Sequence, residues 1–186
     1  MYMTPEEIRE KFPDAFIERD VQIGSDVAIG SGAEIGSGAW IESGAWIGRG
    51  GQIGRGGQIG SNVRIGSGAV IGRDVHIGSN VRIEICAVIG SGVRIRRGAE
   101  IGSGAVIESG AQISSGAWIG RNRKGVTHTL VINGIGTTKR MTAHTSDDGL
   151  VIVIGCLNGH RGATIEQAQA HPSMYARSFA WLYRCR

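Results

Sequence analysis

The sequence predicts a mainly β protein whose central stretch coils as a solenoid, and three observations carry that prediction. An isoleucine stands at every sixth position without interruption from Ile17 to Ile119. Glycine is the most distorted part of the composition, at 32 of 186 residues, where an average protein has roughly 7%. Only 3 residues are proline, and 41% are hydrophobic. Those two figures exclude a collagen-like chain and a polar disordered linker. A short fixed period of this kind marks stacked repeats, each burying its apolar side against the next.

Each hexad reads as one short strand and one corner. From Ile23 onward, the residue two before each isoleucine is Val, Ala or Gly, as in Val63, Arg64, Ile65, Gly66. Strand alternation sends the small apolar residue and the isoleucine to one side and the residue between them to the other. Three residues past each isoleucine comes Gly, Asn or Asp, from Asp20 and Asp26 through Gly32 and Gly38 to Asn122, with Cys86 the one exception. These residue types tolerate the positive φ of a tight corner. Strand and corner in alternation give a prism with isoleucines stacked inside.

Repeats such as Ile35-Gly-Ser-Gly-Ala-Trp and Ile65-Gly-Ser-Gly-Ala-Val resemble those of the hexapeptide-repeat, acyltransferase-like family. The resemblance spans residues 17–122 and implies a left-handed parallel β-helix with three hexads per coil, hence about six coils. Members of that family are typically trimers. They hold CoA or nucleotide-linked substrates in clefts between neighbouring prisms and use a histidine as general base. Many also grow a loop from the helix beside the active site, and this sequence has no insertion in any coil.

The remaining elements are taken in chain order. Residues 1–16 read as a capping helix, with Thr4 as N-cap, Pro5 at the first helical position, Glu7 closing a capping box and Pro13 ending it. Phe12 and Phe16 are expected to plug the first coil, because an open solenoid end exposes unpaired backbone. Residues 17–122 are the prism, and beyond Asn122 the period stops. Residues 123–186 read as a small α+β segment. It has a strand at 127–132, a hairpin of 140–146 with 150–155 around Asp147, Asp148 and Gly149, and two helices opening at Thr164 and Ser173 on either side of His171-Pro172. This segment resembles short uncharacterised domains of phage-encoded proteins.

Several classes are excluded. No apolar run approaches the ~18 residues of a membrane helix, and the start lacks a basic-then-apolar leader, so a cytoplasmic protein without membrane contact is expected. Cys86, Cys156 and Cys185 are too far apart for a disulfide framework or a structural zinc site. His128 and His144 are expected to face each other on neighbouring strands, but without a third ligand they imply no metal centre. The net charge is only +4, and no nucleic-acid recognition motif accompanies it.

With three hexads per coil, residues eighteen apart stack on one face. The first face bears Gln22, Trp40, Gln58, His76, Arg94 and Gln112, with Glu42 and Arg96 beside them. The second bears Ala28, Trp46, Arg64, Arg82, Glu100 and Trp118, and the third Glu34, Gln52, Val70, Val88 and Val106. Val70, Val88 and Val106, with Ile85 and Cys86 at the adjoining corner, form an apolar patch expected to be a subunit interface. Charge is segregated along the axis. Residues 17–48 hold one basic and five acidic groups, whereas 49–97 hold eight basic and two acidic ones.

The middle coils therefore carry an arginine belt that includes Arg55, Arg64, Arg73, Arg82, Arg94 and Arg97. Guanidinium groups stacked one coil apart repel unless an anion lies between them, and they bind phosphate or carboxylate bidentately. Trp40 points outward, where it can stack a base. The resulting expectation is a homotrimer binding an anionic, nucleotide-like small molecule at this belt for sequestration or sensing, without a cofactor and without catalysis. Two alternatives stand beside it. One is a CoA-dependent acyltransferase in which His76, the prism's one histidine, is the base. The other is a structural assembly module in which the prism is a spacer.

Overall fold

The computed structural model describes residues 2–120 and the backbone of four further strands, Val126–Asn133, Arg140–Ser146, Gly149–Ile154 and Ala163–Thr164. From Phe16 to Ile119 the chain is a parallel β-solenoid of about six coils. Most of its strands are two residues long, an outward residue followed by an isoleucine. Up to Glu100–Ile101, each strand pairs with the one eighteen residues on, as His76 pairs with Arg94 and Ile77 with Ile95. Three columns result, beginning at Gln22, Ala28 and Phe16, and these are the first, second and third faces.

The interior is what the period demands. Isoleucines from Ile35 to Ile119 are at most 3% exposed, and the Ala, Val or Gly two residues earlier is buried with them. Fully burying such a side chain contributes about 1.5–3 kcal/mol relative to leaving it in water, and the stack repeats that gain on every face. In the first coil Ile17 and Ile29 are only half-buried, whereas Ile23, where the N-terminal segment lies along the coil, is sealed.

Corners obey the same rule. The expected positive φ occurs at glycine and at Asp20, Asp26, Asn62, Asp74 and Asn80. The amide of the corner residue then donates to the preceding coil, as Gly44 N–H does to the Ser25 carbonyl at 3.1 Å. Cys86 adopts the same conformation at φ 56° despite its side chain.

The N-terminal helix runs Pro5–Lys11 with the capping box in place. Thr4 N–H donates to the Glu7 carboxylate at 2.7 Å, and Glu7 N–H donates to Thr4 Oγ1 at 3.2 Å. Its Ile8 and Phe12 join the core. Phe16 does not plug the coil. It precedes Ile17 in the outward position of the first rung, so it heads the third face and is 66% exposed.

At the other end, Val106–Ile113 continues as one strand around the corner between the third and first faces, and Val126–Asn133 pairs parallel to it. The hairpin is present as Arg140–Ser146 against Gly149–Ile154, antiparallel. Register sets His144 opposite Thr129, not His128, so the two histidines are offset by one residue. The two expected C-terminal helices lie outside the described residues. Among the described residues no helix is long and apolar enough to cross a membrane.

Candidate functional site

Among the described residues, outward side chains line a depression on each of the three faces. The one on the first face, about 750 Å³, is lined by Trp40, Glu42, Gln58, His76, Arg94, Arg96 and Arg97, among others. His76 points into it because Val75 and Ile77 on either side are locked in the core, at 0% and 3% exposure. Its neighbours in the ladder are Gln58 above and Arg94 below.

The groove has walls because the residue after isoleucine changes from coil to coil. On this edge that position is Glu42, Gly60, Gly78 and then Arg96 in successive coils. Gly60 and Gly78 leave the floor bare, and a Cβ at either would lie 2.9 or 2.8 Å from the backbone of the next coil. Glu42 forms one wall, with its carboxylate accepting from the Ser61 hydroxyl. Arg96 and Arg97 form the other.

The N-terminal segment closes one end. Met3 N–H donates to the Ile23 carbonyl at 2.8 Å, which lays the segment along the first coil. The Trp40 indole N–H then donates to the Tyr2 hydroxyl at 2.6 Å, with the two rings edge to face at 5.5 Å. Trp40 is thus held in place yet remains 43% exposed. Glu42, Arg96 and the bare Gly60–Gly78 floor are visible in the sequence as departures from, and returns to, glycine after isoleucine. Tyr2 carries no such signal, since it lies outside the repeat.

The arginines of the belt do not converge. Arg55 and Arg73 line a third-face depression of about 410 Å³ with Phe16, Glu34, Gln52 and Val70. Arg64 and Arg82 line a second-face depression of about 360 Å³ with Trp46 and Ile85. Only Arg94 and Arg97 of the expected set share a groove with His76 and Trp40, and Arg96 joins them. A belt distributed around a three-sided prism necessarily points three ways. The apolar residues are placed as the columns imply: Val88 is 39% and Ile85 56% exposed, Val70 and Val106 are half-buried, and Cys86 is an exposed free thiol. Among the described residues, no group of three metal-ligating side chains occurs.

Comparison with known proteins bears on the prism. The family model described as bacterial transferase hexapeptide (six repeats) matches residues 74–109, and that of the hexapeptide repeat of succinyl-transferase matches 15–49 and 58–85. Over those residues the repeats are similar to the hexapeptide repeats of bacterial transferases. Among solved structures, a hexapeptide transferase family protein from Anaplasma phagocytophilum is similar at 19% identity and TM-score 0.57, over 91% of this chain and 85% of that one. At that identity the likeness shows the shared fold. PerB from Caulobacter crescentus, solved in complex with CoA and GDP-perosamine, matches at 19% identity and TM-score 0.45, over 67% of this chain and 53% of that one. No curated protein matches the sequence significantly.

Proposed function

We propose that the hexapeptide-repeat prism binds an anionic, nucleotide-like small molecule in the first-face groove, as a homotrimer packed through the valine patch. The carrying observation is the arrangement along one groove of an exposed, pinned indole and a cluster of guanidinium groups. Trp40 and Arg94 stand three rungs apart on the same column. At ~4.8 Å per rung that separation is about 14 Å, a distance a nucleoside diphosphate can span. A base stacks on Trp40, and phosphate oxygens take the forked donors of Arg94, Arg96 and Arg97. Calorimetry with nucleotides, cyclic nucleotides and CoA tests the reading. Saturable binding weakened by Arg94→Ala supports it. If no ligand in the panel binds, or none is weakened by that change, the proposal fails and the spacer role gains ground.

One observation favours acyl transfer as a second reading: His76 lies on the groove floor between the indole and the arginines. With an acyl-CoA bound there, the imidazole would take the proton of an amine or hydroxyl acceptor as that group attacks the thioester carbonyl. The C–S bond then breaks, and the imidazolium returns its proton to the departing thiolate. Acetyl-CoA turnover with a panel of amines and alcohols, abolished by His76→Ala in a folded protein, would move this reading ahead of simple binding.

A further inference from the structure

The second face carries a depression that the groove does not use. Arg64 and Arg82 occupy successive rungs of one column, in register, with Trp46 on the rung above. Both arginine side chains are exposed, and Trp46 is 47% exposed. Two like charges one rung apart, at about 5 Å, repel each other. Within the depression the carboxylate nearest in sequence is Glu84, and it is already engaged. Its Oε2 accepts from Ser103 Oγ at 2.7 Å and from Ser103 N–H at 3.2 Å. Glu100 stands in register with Arg82 on the far side, away from Arg64. The column thus presents two exposed guanidinium forks on adjacent rungs. Beside them lies the Trp46 ring.

We propose that this depression is a second ligand site, independent of the first-face groove, for a planar aromatic ring carrying one phosphate or carboxylate. The anionic group bridges the guanidinium groups of Arg64 and Arg82, each supplying charge-assisted hydrogen bonds. The ring lies on Trp46, which contributes only if the ligand has a flat apolar body. Binding relieves the repulsion between the two arginines, so the occupied protein is also the more heat-stable one.

Phenyl phosphate is the probe, titrated by calorimetry into the full chain alongside cyclohexyl phosphate and inorganic phosphate. Saturable binding is expected, with Arg64→Gln and Arg82→Gln each weakening it about tenfold or more, the loss of one charge-assisted contact. Trp46→Ala should weaken phenyl phosphate while leaving inorganic phosphate unchanged. In a protein that carries Arg94→Gln, so that the groove competes less for the probe, Arg64→Gln and Trp46→Ala should cause the same losses, which separates this site from the groove whatever the groove binds. Circular dichroism confirms that each variant is folded, and Arg82→Lys retains charge without the fork should Arg82→Gln fail to fold. No saturable binding in the millimolar range overturns the proposal. So does binding lost through Arg94→Gln but not through Arg64→Gln. Equal affinity for phenyl and cyclohexyl phosphate, insensitive to Trp46→Ala, overturns the aromatic specificity.

Discussion

The first and third faces rest on the same interior and the same ladder, yet one carries a groove of about 750 Å³ between two charged walls and the other a smaller depression of about 410 Å³ that gives way to a column of valines. On the first, Glu42 and Arg96 come directly after their isoleucines and rise on either side of Gly60 and Gly78. On the third, the same position reads Gly36, Gly54, Gly72 and Gly90, so four successive coils have no wall. Its outward column turns to Val70, Val88 and Val106, whereas the first face carries His76, Arg94 and Gln112 at the equivalent heights. A solenoid core is indifferent to the side chains that point away from it. Ligand capture needs walls and polar groups, close packing needs flatness and apolar side chains, and one repeat supplies both by changing two positions per hexad.

The sharpest way to break the comparison is to charge the valine column. In a trimer closed through the valines, Val88→Arg forces each subunit to bury or displace an unpaired guanidinium, at several kcal/mol. Light scattering should show wild-type trimers and mutant monomers, with monomer circular dichroism unchanged. A wild-type monomer rejects the assembly, and a mutant that stays trimeric rejects this face as the contact.

Attacking the shared interior should hurt both faces alike. Ile77 is 3% exposed beneath the groove, and Ile77→Ala leaves a cavity costing about 3 kcal/mol. Urea unfolding should show a lower midpoint with an unchanged slope. A midpoint within error of wild type would mean that the stack collapses around the gap. Lowering a wall is milder. Arg96→Gly should weaken the groove ligand about tenfold and leave the oligomer intact, and a change in oligomeric state instead would make Arg96 an interface residue.

Legibility in the sequence depends on where the information sits. The isoleucine column and the positive-φ corners are local and periodic, so the strands, the corners and the choice of inward and outward residues could be read directly, whereas the coil of three hexads, and with it the register of His76 above Arg94, came from the resemblance to hexapeptide-repeat proteins. The capping box of Thr4 and Glu7 is equally local. Phe16 misled because its aromatic bulk suggested a plug, while its position before Ile17 put it outside. The arginine belt was legible in part: the columns put Arg94 on the first face and Arg64 and Arg82 on the second, but Arg55 and Arg73 sit at a corner, and that they line the third-face depression depends on side-chain direction. The Tyr2–Trp40 contact joins a non-repeating segment to the prism over 38 positions, a pairing that no period announces.

The smallest predicted effect concerns the one corner that breaks the pattern. Cys86 sits at φ 56°, a conformation that costs an ordinary L-residue about 1–2 kcal/mol and asparagine less. The prism already shows how asparagine fits such a corner. Asn62 stacks on Gly44 with its Oδ1 where a Cβ at that glycine would be, and Asp74 stacks on Gly56 in the same way. Cys86 likewise stacks on a glycine, Gly68, whose φ is +65° and whose Cβ would lie 3.5 Å from the thiol sulfur. Asparagine at 86 therefore meets a bare corner. Cys86→Asn is expected to raise stability by about 0.5–1 kcal/mol, part of the left-handed cost, seen as a modest rise in melting temperature under reducing conditions. Cys86→Val, β-branched at positive φ, should lower it. If asparagine lowers the melting temperature as well, the thiol holds this corner through its packing beside Ile85 and the valine face, and the corner belongs to the interface more than to the turn.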